Sequence, residues 1–274
     1  MLVESLSPSR ASDFMRCPLL YRYRAIDRFE EPAAPAAMRG TLVHSVLEAL
    51  FDLPSGQRTP EAAQALVPGA YQRLRQRDHR VDQLFADGSL TEEAFIGGAR
   101  ELVDAYFALE DPRRLQPEAR ELLIEARWDG GPPLRGYVDR LDVAAADGAI
   151  RVVDYKTGKA PAPRFQSEML FQLRFYSLII RLARGRQPDT VRLVYLGDRQ
   201  ILDAQPTPSD LDRTKLRIET IWSEITRMLQ TQDFPPVKGP LCGWCAFQDK
   251  CPLFGGEVPT FPSDGRELPA ATPR

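Results

Sequence analysis

In Val152-Val153-Asp154-Tyr155-Lys156 a carboxylate and an ammonium stand two residues apart behind a β-branched pair. On a strand, Ile150, Val152, Asp154 and Lys156 share one face. Such a face suits phosphodiester chemistry. The carboxylate holds a divalent cation that acts as a Lewis acid, while the ammonium beside the same phosphate orients or deprotonates the attacking water and offsets developing charge. One carboxylate cannot hold Mg2+ firmly. Asp139, in Gly136-Tyr137-Val138-Asp139-Arg140, supplies a second from the preceding segment. Alone, Asp-x-Lys is more often a surface ion pair at a strand end, so the surrounding chain has to decide.

Sulfur forms a second constellation. Cys17, followed by Pro18, is far from Cys242, Cys245 and Cys251, which read C-x2-C-x5-C and end at Pro252. The opening stretch, with Glu4, Arg10 and Asp13, does not look like a secretory leader, and no apolar run approaches the roughly 18 residues of a membrane span. The expectation is a cytoplasmic protein without a membrane partner, whose clustered thiols stay reduced and bind metal or act in catalysis. Four thiolates accept zinc or an iron–sulfur cluster, and spacing separates the two poorly. A zinc ribbon would present two C-x2-C knuckles, whereas one ligand here is solitary. That asymmetry favours [4Fe–4S] over zinc, and four unrelated buried cysteines are the bland alternative.

With 274 residues, 43% of them hydrophobic, the chain can bury a sizeable core. A net charge of −2 argues against nonspecific coating of nucleic acid, so any nucleic-acid site must be a local basic surface. Arg10, Arg16, Arg22, Arg24 and Arg28, interleaved with Phe14, Tyr21 and Tyr23, offer one candidate: guanidinium for phosphate and aromatic faces for single-stranded bases. A solvated helix face explains the same residues equally well.

The elements that must position these groups follow from patterning. Thr41 is the expected cap of a helix carrying Leu42, Val43, Val46, Leu47 and Leu50. Segments 61–80 and 91–109 read as helices, with breaks at Pro68-Gly69 and Asp87-Gly88, in an insertion of about residues 55–115. Leu122–Trp128, Leu134–Val143 and Ala149–Lys156 read as strands whose short connections make them antiparallel neighbours. A helix over Ser167–Ala183, a strand over Thr190–Leu196 and a helix over Ser209–Gln230 follow.

This arrangement resembles the PD-(D/E)XK nuclease superfamily and, more narrowly, its RecB-like exonuclease family. The resemblance is carried by Gly40-Thr41-Leu42-Val43-His44, Gly136-Tyr137-Val138-Asp139-Arg140-Leu141-Asp142, Val153-Asp154-Tyr155-Lys156-Thr157-Gly158, and Gln172 with Tyr176 as a Q-x3-Y element. Ser7-Pro8-Ser9, Phe14, Cys17-Pro18 and the C-terminal cysteines are similar to the iron–sulfur branch, which includes AddB-type and CRISPR-associated nucleases. The implied fold is α/β, a restriction-endonuclease-like core with a central mixed sheet flanked by helices. A helical insertion and an iron–sulfur clasp joining the N- and C-terminal segments complete it.

The resemblance implies that Asp139 and Asp154 ligate Mg2+ or Mn2+, with His44 adding a metal contact and Lys156 positioning or activating water. Gln172 and Tyr176, i and i+4 on one helix face, would hold the lysine and a DNA phosphate, and Cys17, Cys242, Cys245 and Cys251 would bind [4Fe–4S]. Glu125 on the first strand is a weaker acidic candidate. Two departures from the family pattern stand out: the second acid is Asp154 instead of Glu, and no proline precedes Asp139. One nuclease domain over residues 1–255 and a disordered Pro-rich tail over 256–274 are expected. The implied activity is a metal-dependent DNA exonuclease acting on single-stranded ends in repair or recombination. The chain has no G-x4-G-K-[ST] phosphate loop, so unwinding would come from a separate helicase subunit. The alternatives are a catalytically silent DNA-binding iron–sulfur accessory protein and a zinc-stapled nuclease.

Overall fold

Five segments pair into one sheet: β1 (Ala119–Ala126), β2 (Leu134–Val143), β3 (Ile150–Lys156), β4 (Thr190–Tyr195) and β5 (Gln200–Ala204), in that spatial order. The computed structural model describes residues 5–162 and 166–262, the side chains of 166–168 excepted. Short turns make β1–β2, β2–β3 and β4–β5 antiparallel, whereas β3 and β4 are parallel. A parallel pair needs a crossover, and α7 (Gln166–Arg184) provides it.

β3 is apolar on both sides because it is covered on both. Ile150 and Val152 join the core under α7 and α8 (Pro208–Thr231), while Val153 and Tyr155 join a second core under α3 (Pro35–Leu50), α4 (Pro60–Arg77) and α6 (Glu92–Phe107). The expected mixed sheet between helical layers is therefore present, and the helices of residues 55–115 form the layer on one face together with α3. Thr59 and Thr91 cap α4 and α6, accepting from the Ala62 and Ala94 N–H groups at 3.2 and 3.1 Å. Thr207 and Asp210 form a capping box on α8.

Three local expectations change. α3 begins at Pro35, six residues before Thr41, because a proline at the first position is preorganised for a helix. Thr41 lies inside it and donates its hydroxyl to the Ala37 carbonyl at 3.3 Å. α4 runs through Pro68-Gly69 without a break, its buried face of Val67, Ala70, Tyr71 and Leu74 outweighing the lost backbone donor. β1 ends at Ala126, since Trp128 leaves the ladder and donates its indole N–H to Glu219 on α8 at 2.9 Å.

Two glycines let the site close up. At Gly136 a Cβ would sit 3.1 Å from the Tyr176 ring, and at Gly197 it would sit 2.7 Å from the Gly158 carbonyl oxygen. The loop after Lys156 is thereby held against the end of β4, with Leu196 N–H donating to Lys156 O at 2.8 Å.

The N-terminal segment, α1 (Pro8–Arg16), α2 (Pro18–Tyr21) and a π turn closed by Asp27 N–H to Arg22 O, packs on the C-terminal segment. Tyr21 and Tyr23 are 0% and 1% exposed, so neither offers the stacking face expected of it. The Tyr23 hydroxyl donates to Lys250 O at 2.6 Å and its ring meets Phe247 edge-on; Tyr21 stacks on Phe234. Arg22 pairs with Asp27 and donates to Pro259 O, and Arg24 is shared by Asp13 and Glu31. Tyr21, Arg22, Tyr23 and Arg24 form an internal joint between the two chain ends, because the alternating tyrosines are consumed by packing and both arginines by carboxylates, while Arg16 stays exposed. The chain stays packed past residue 256 as far as Phe261, which stacks on Phe234 with ring centres 6.1 Å apart. Residues 263–274 of the expected tail lie outside the described residues.

Candidate active site

Glu121 and Asp139 face each other across the β1–β2 ladder, bracketed by the pairs Arg120–Arg140 and Leu122–Val138. Glu121 has φ of +43°, a left-handed conformation in mid-strand that costs a non-glycine residue about 1–3 kcal/mol. Such strain is characteristic of functional sites. Asp139 Oδ2 accepts the Tyr155 backbone N–H at 2.6 Å. His44, reaching down from α3, places Nε2 3.0 Å from the Tyr155 carbonyl oxygen and Nδ1 3.5 Å from Asp139 Oδ1 and 3.9 Å from Glu121 Oε1. With Nε2–H donating to the carbonyl, Nδ1 faces the two carboxylates and carries the proton that a cation would displace, so the ring is oriented by its other nitrogen as ligating histidines are. One residue, Tyr155, thus braces Asp139 with its N–H and His44 with its carbonyl.

Ligand atoms of His44, Glu121 and Asp139 all lie within 4.8 Å of one another. An imidazole and two carboxylates suit a divalent ion such as Mn2+ or Mg2+. Their charge states point the same way. Burial would lower His44, but Asp139, with Asp154 and Glu121, together raises it to about 9; burial and then Asp139 raise Glu121 to about 7. Crowded acids of this kind are relieved by a cation.

Asp154 and Lys156 lie on one face of β3, as alternation requires, with Lys156 Nζ 2.7 Å from Asp154 Oδ2. This is no surface pair, since Asp154 is 6% exposed. The buried Oδ2 has the Lys156 ammonium as its partner. Burial raises the Asp154 pKa against the opposing pull of Lys156. Burial would lower Lys156, but Asp154 and Asp139 together hold it above its usual value, as an ammonium. On α7, Tyr176 is hydrogen-bonded to Gln172; burial first, then the Asp154 and Asp139 carboxylates, pushes its hydroxyl far up.

The structure thus brings His44, Asp139, Asp154, Lys156, Gln172 and Tyr176 to one place and adds Glu121, which spacing alone does not single out. Glu125 is exposed four residues further along β1, opposite Arg135, and is not part of the group. A supporting shell also emerges. Arg140, fully buried, binds Glu110 through Nη1 and Nη2 at 2.7 and 3.1 Å, Asp142 at 3.0 Å and the Tyr155 hydroxyl at 2.6 Å. The ring of the residue that braces the metal ligands is therefore tied to the end of the α6 layer.

The four cysteines, none in a disulfide, line a single cavity of about 740 Å³ with Leu19, Leu20, Phe171 and Trp244. Val237 N–H donates to Cys17 Sγ at 3.4 Å and Gly239 N–H to Cys242 Sγ at 3.2 Å. Burial, with Cys251 and Cys17 nearby, raises the Cys245 thiol. Among the described residues no three of these sulfurs lie within 4.8 Å of one another.

A profile of the PD-(D/E)XK nuclease superfamily matches residues 5–252. The chain belongs to that superfamily. Similar proteins include the Gene 69 protein of Mycobacterium phage L5, 25% identical over 288 residues, and that of phage D29, 26% identical over 278 residues. Each match covers 90% of this chain and 96% of the relative. Among solved structures, a "Putative exonuclease" from Eubacterium rectale superposes with a TM-score of 0.58 at 16% identity, covering 98% of this chain and 94% of that one, a likeness of fold. Membership of a nuclease superfamily makes DNA the substrate and divalent-metal chemistry the family's means. No helix among the described residues is long and apolar enough to cross a membrane.

Proposed function

We propose that this chain is a Mg2+- or Mn2+-dependent deoxyribonuclease that degrades single-stranded DNA from an end, in cytoplasmic repair or recombination alongside a separate helicase. We take residues 1–255 as one nuclease domain. The observation that carries the reading is the convergence of His44, Glu121 and Asp139 within 4.8 Å beside the buried Asp154–Lys156 pair. His44, Glu121 and Asp139 would hold the ion, with Asp154 Oδ2 adjoining. Bound there, a divalent ion supplies Lewis acidity to the scissile phosphate and lowers the pKa of its water. Lys156, kept as an ammonium by its two carboxylates, orients the nucleophile and offsets phosphoryl charge. Gln172 and Tyr176 present an amide and a hydroxyl to a phosphate oxygen.

The cysteines are read as a [4Fe–4S] site. Zinc–thiolate bonds of ~2.3 Å in a tetrahedron set sulfurs roughly 3.8 Å apart, and no trio here is gathered within 4.8 Å. A cavity lined by all four cysteines, with backbone N–H groups aimed at two sulfurs as cluster sulfurs receive them, supports this reading.

End-labelled single-stranded DNA with Mg2+ or Mn2+ tests the activity. Wild type should shorten it, and Asp154→Ala and Lys156→Ala should abolish shortening. Equal trace activity in all three would leave a silent DNA-binding protein. Anaerobically purified protein should be brown with about four irons per chain; colourless protein carrying one zinc would overturn the cluster.

A further inference from the structure

Resting on the nuclease reading, we infer that Tyr137, with Leu123 and Arg135, is a platform on which the unpaired base beside the scissile phosphate stacks. The β1–β2 ladder has two different faces. Ile124, Leu134 and Val138 belong to the core under α7. On the opposite face two cross-strand pairs follow one another, Leu123 with Tyr137 and Glu125 with Arg135, and beyond them the ladder opens at Glu121 and Asp139, whose carboxylates lie within 4.8 Å of each other. That opening carries candidate metal ligands. The pair next to it is apolar and open, with Leu123 40% and Tyr137 46% exposed. Leu123 and Tyr137 are two residues from Glu121 and Asp139, at most about 6.6–6.8 Å along a strand, within the span that one nucleotide of an extended strand covers. A phosphate at Glu121 and Asp139 therefore puts the adjoining base over Tyr137.

Charge runs the same way. Arg135 Cζ lies 5.9 Å from the Tyr137 ring centre, at the limit of a cation–π contact, and no carboxylate reaches its guanidinium among the described residues. Arg127 and Arg135, together with Glu125, line a small polar pocket at the outer end of the row, two guanidinium groups to one carboxylate. The order is metal ligands, aromatic platform, then guanidinium groups for the next phosphate. An aromatic face that needs a free base selects single strands, since a paired base offers its faces only to its stacked neighbours.

The test compares wild type, Tyr137→Ala and Tyr137→Phe on a single-stranded oligonucleotide and on a series in which one abasic residue is moved a position at a time from the cleaved end. Tyr137→Ala should raise KM about tenfold, Tyr137→Phe should stay near wild type, and the Tyr137→Ala penalty should vanish when the abasic residue occupies the platform. A merely structural role would give the same penalty on every member of the series. Fluorescence anisotropy in an Asp154→Ala background gives a second reading, with the same Tyr137 dependence expected in Kd. If wild type cuts and Tyr137→Ala cuts with unchanged KM, the platform falls while the nuclease stands. If nothing cuts, the nuclease reading falls and anisotropy decides: Tyr137-dependent binding retains the platform, Tyr137-independent binding removes it.

Discussion

Protons and the metal compete for the same atoms at His44 and Glu121. The ring of His44 titrates at about 9 and Glu121 at about 7 without the ion, and both must be deprotonated to ligate. Mn2+ affinity should therefore rise with pH, by about tenfold per unit between pH 7 and 9, where one proton is displaced, and more steeply below 7, where two are. Calorimetry in buffers of different ionisation heat should count that release; a pH-independent Kd would show that neither group ligates. Glu121→Gln should weaken Mn2+ by about tenfold or more while Glu125→Gln leaves it unchanged. Glu121 and Glu125 are four residues apart on one strand and share a face, so spacing cannot choose between them. Cross-strand register and the positive φ at Glu121 choose.

Between the sheet and the helical layer, Arg140 and Glu110 form an ion pair with 1% and 5% of their side-chain surfaces exposed. Removing one partner of a buried pair strands the other charge, at a cost of about 3–5 kcal/mol. Asp142 remains beside Arg140, so Glu110→Gln should sit near the lower end, about 3 kcal/mol by denaturant unfolding. Burial would raise Glu110, but the Arg140 hydrogen bonds hold it below its ordinary 4.5. A carboxylate depressed on folding contributes stability that is complete above the unfolded value and lost as pH falls through the folded one. The wild-type minus Glu110→Gln stability difference should thus be constant near neutrality and shrink below about pH 4.5. Because Arg140 also anchors Tyr155, the variant should weaken Mn2+ binding even where it remains folded. Pro68 and Thr41 belong to this scale as well: a local rule predicts a break at one and a cap at the other, and a buried apolar face overrides the first while Pro35 starts the helix ahead of the second.

Over the whole molecule, the chain ends meet through more than sulfur. Tyr23 on Phe247, Tyr21 on Phe234, Arg22 on Pro259 O and the stacking of Phe261 join them independently of what the cysteines bind. If the proposed cluster and nuclease activity hold, Cys17→Ser should consequently lose iron and melt at lower temperature, yet keep its helical circular dichroism and its cleavage below that melting point. Global unfolding of Cys17→Ser at 25 °C would show instead that the cluster supplies the folding energy, as structural metals do in small domains.

Much of this protein is local and was readable as such. Alternation in β3 put Asp154 and Lys156 on one face, turn residues separated β1, β2 and β3, and cysteine spacing singled out four residues that line one cavity. β5, short and only half covered, left no pattern to read. What tertiary structure decided depends on contacts distant in sequence: Glu121 as the third group beside His44 and Asp139, Tyr155 as their common brace, and Arg140 as its anchor. It also decided that the tyrosines of the N-terminal stretch are core. An aromatic among arginines fits a buried joint and a nucleic-acid surface equally, and only the segment packed over it distinguishes the two.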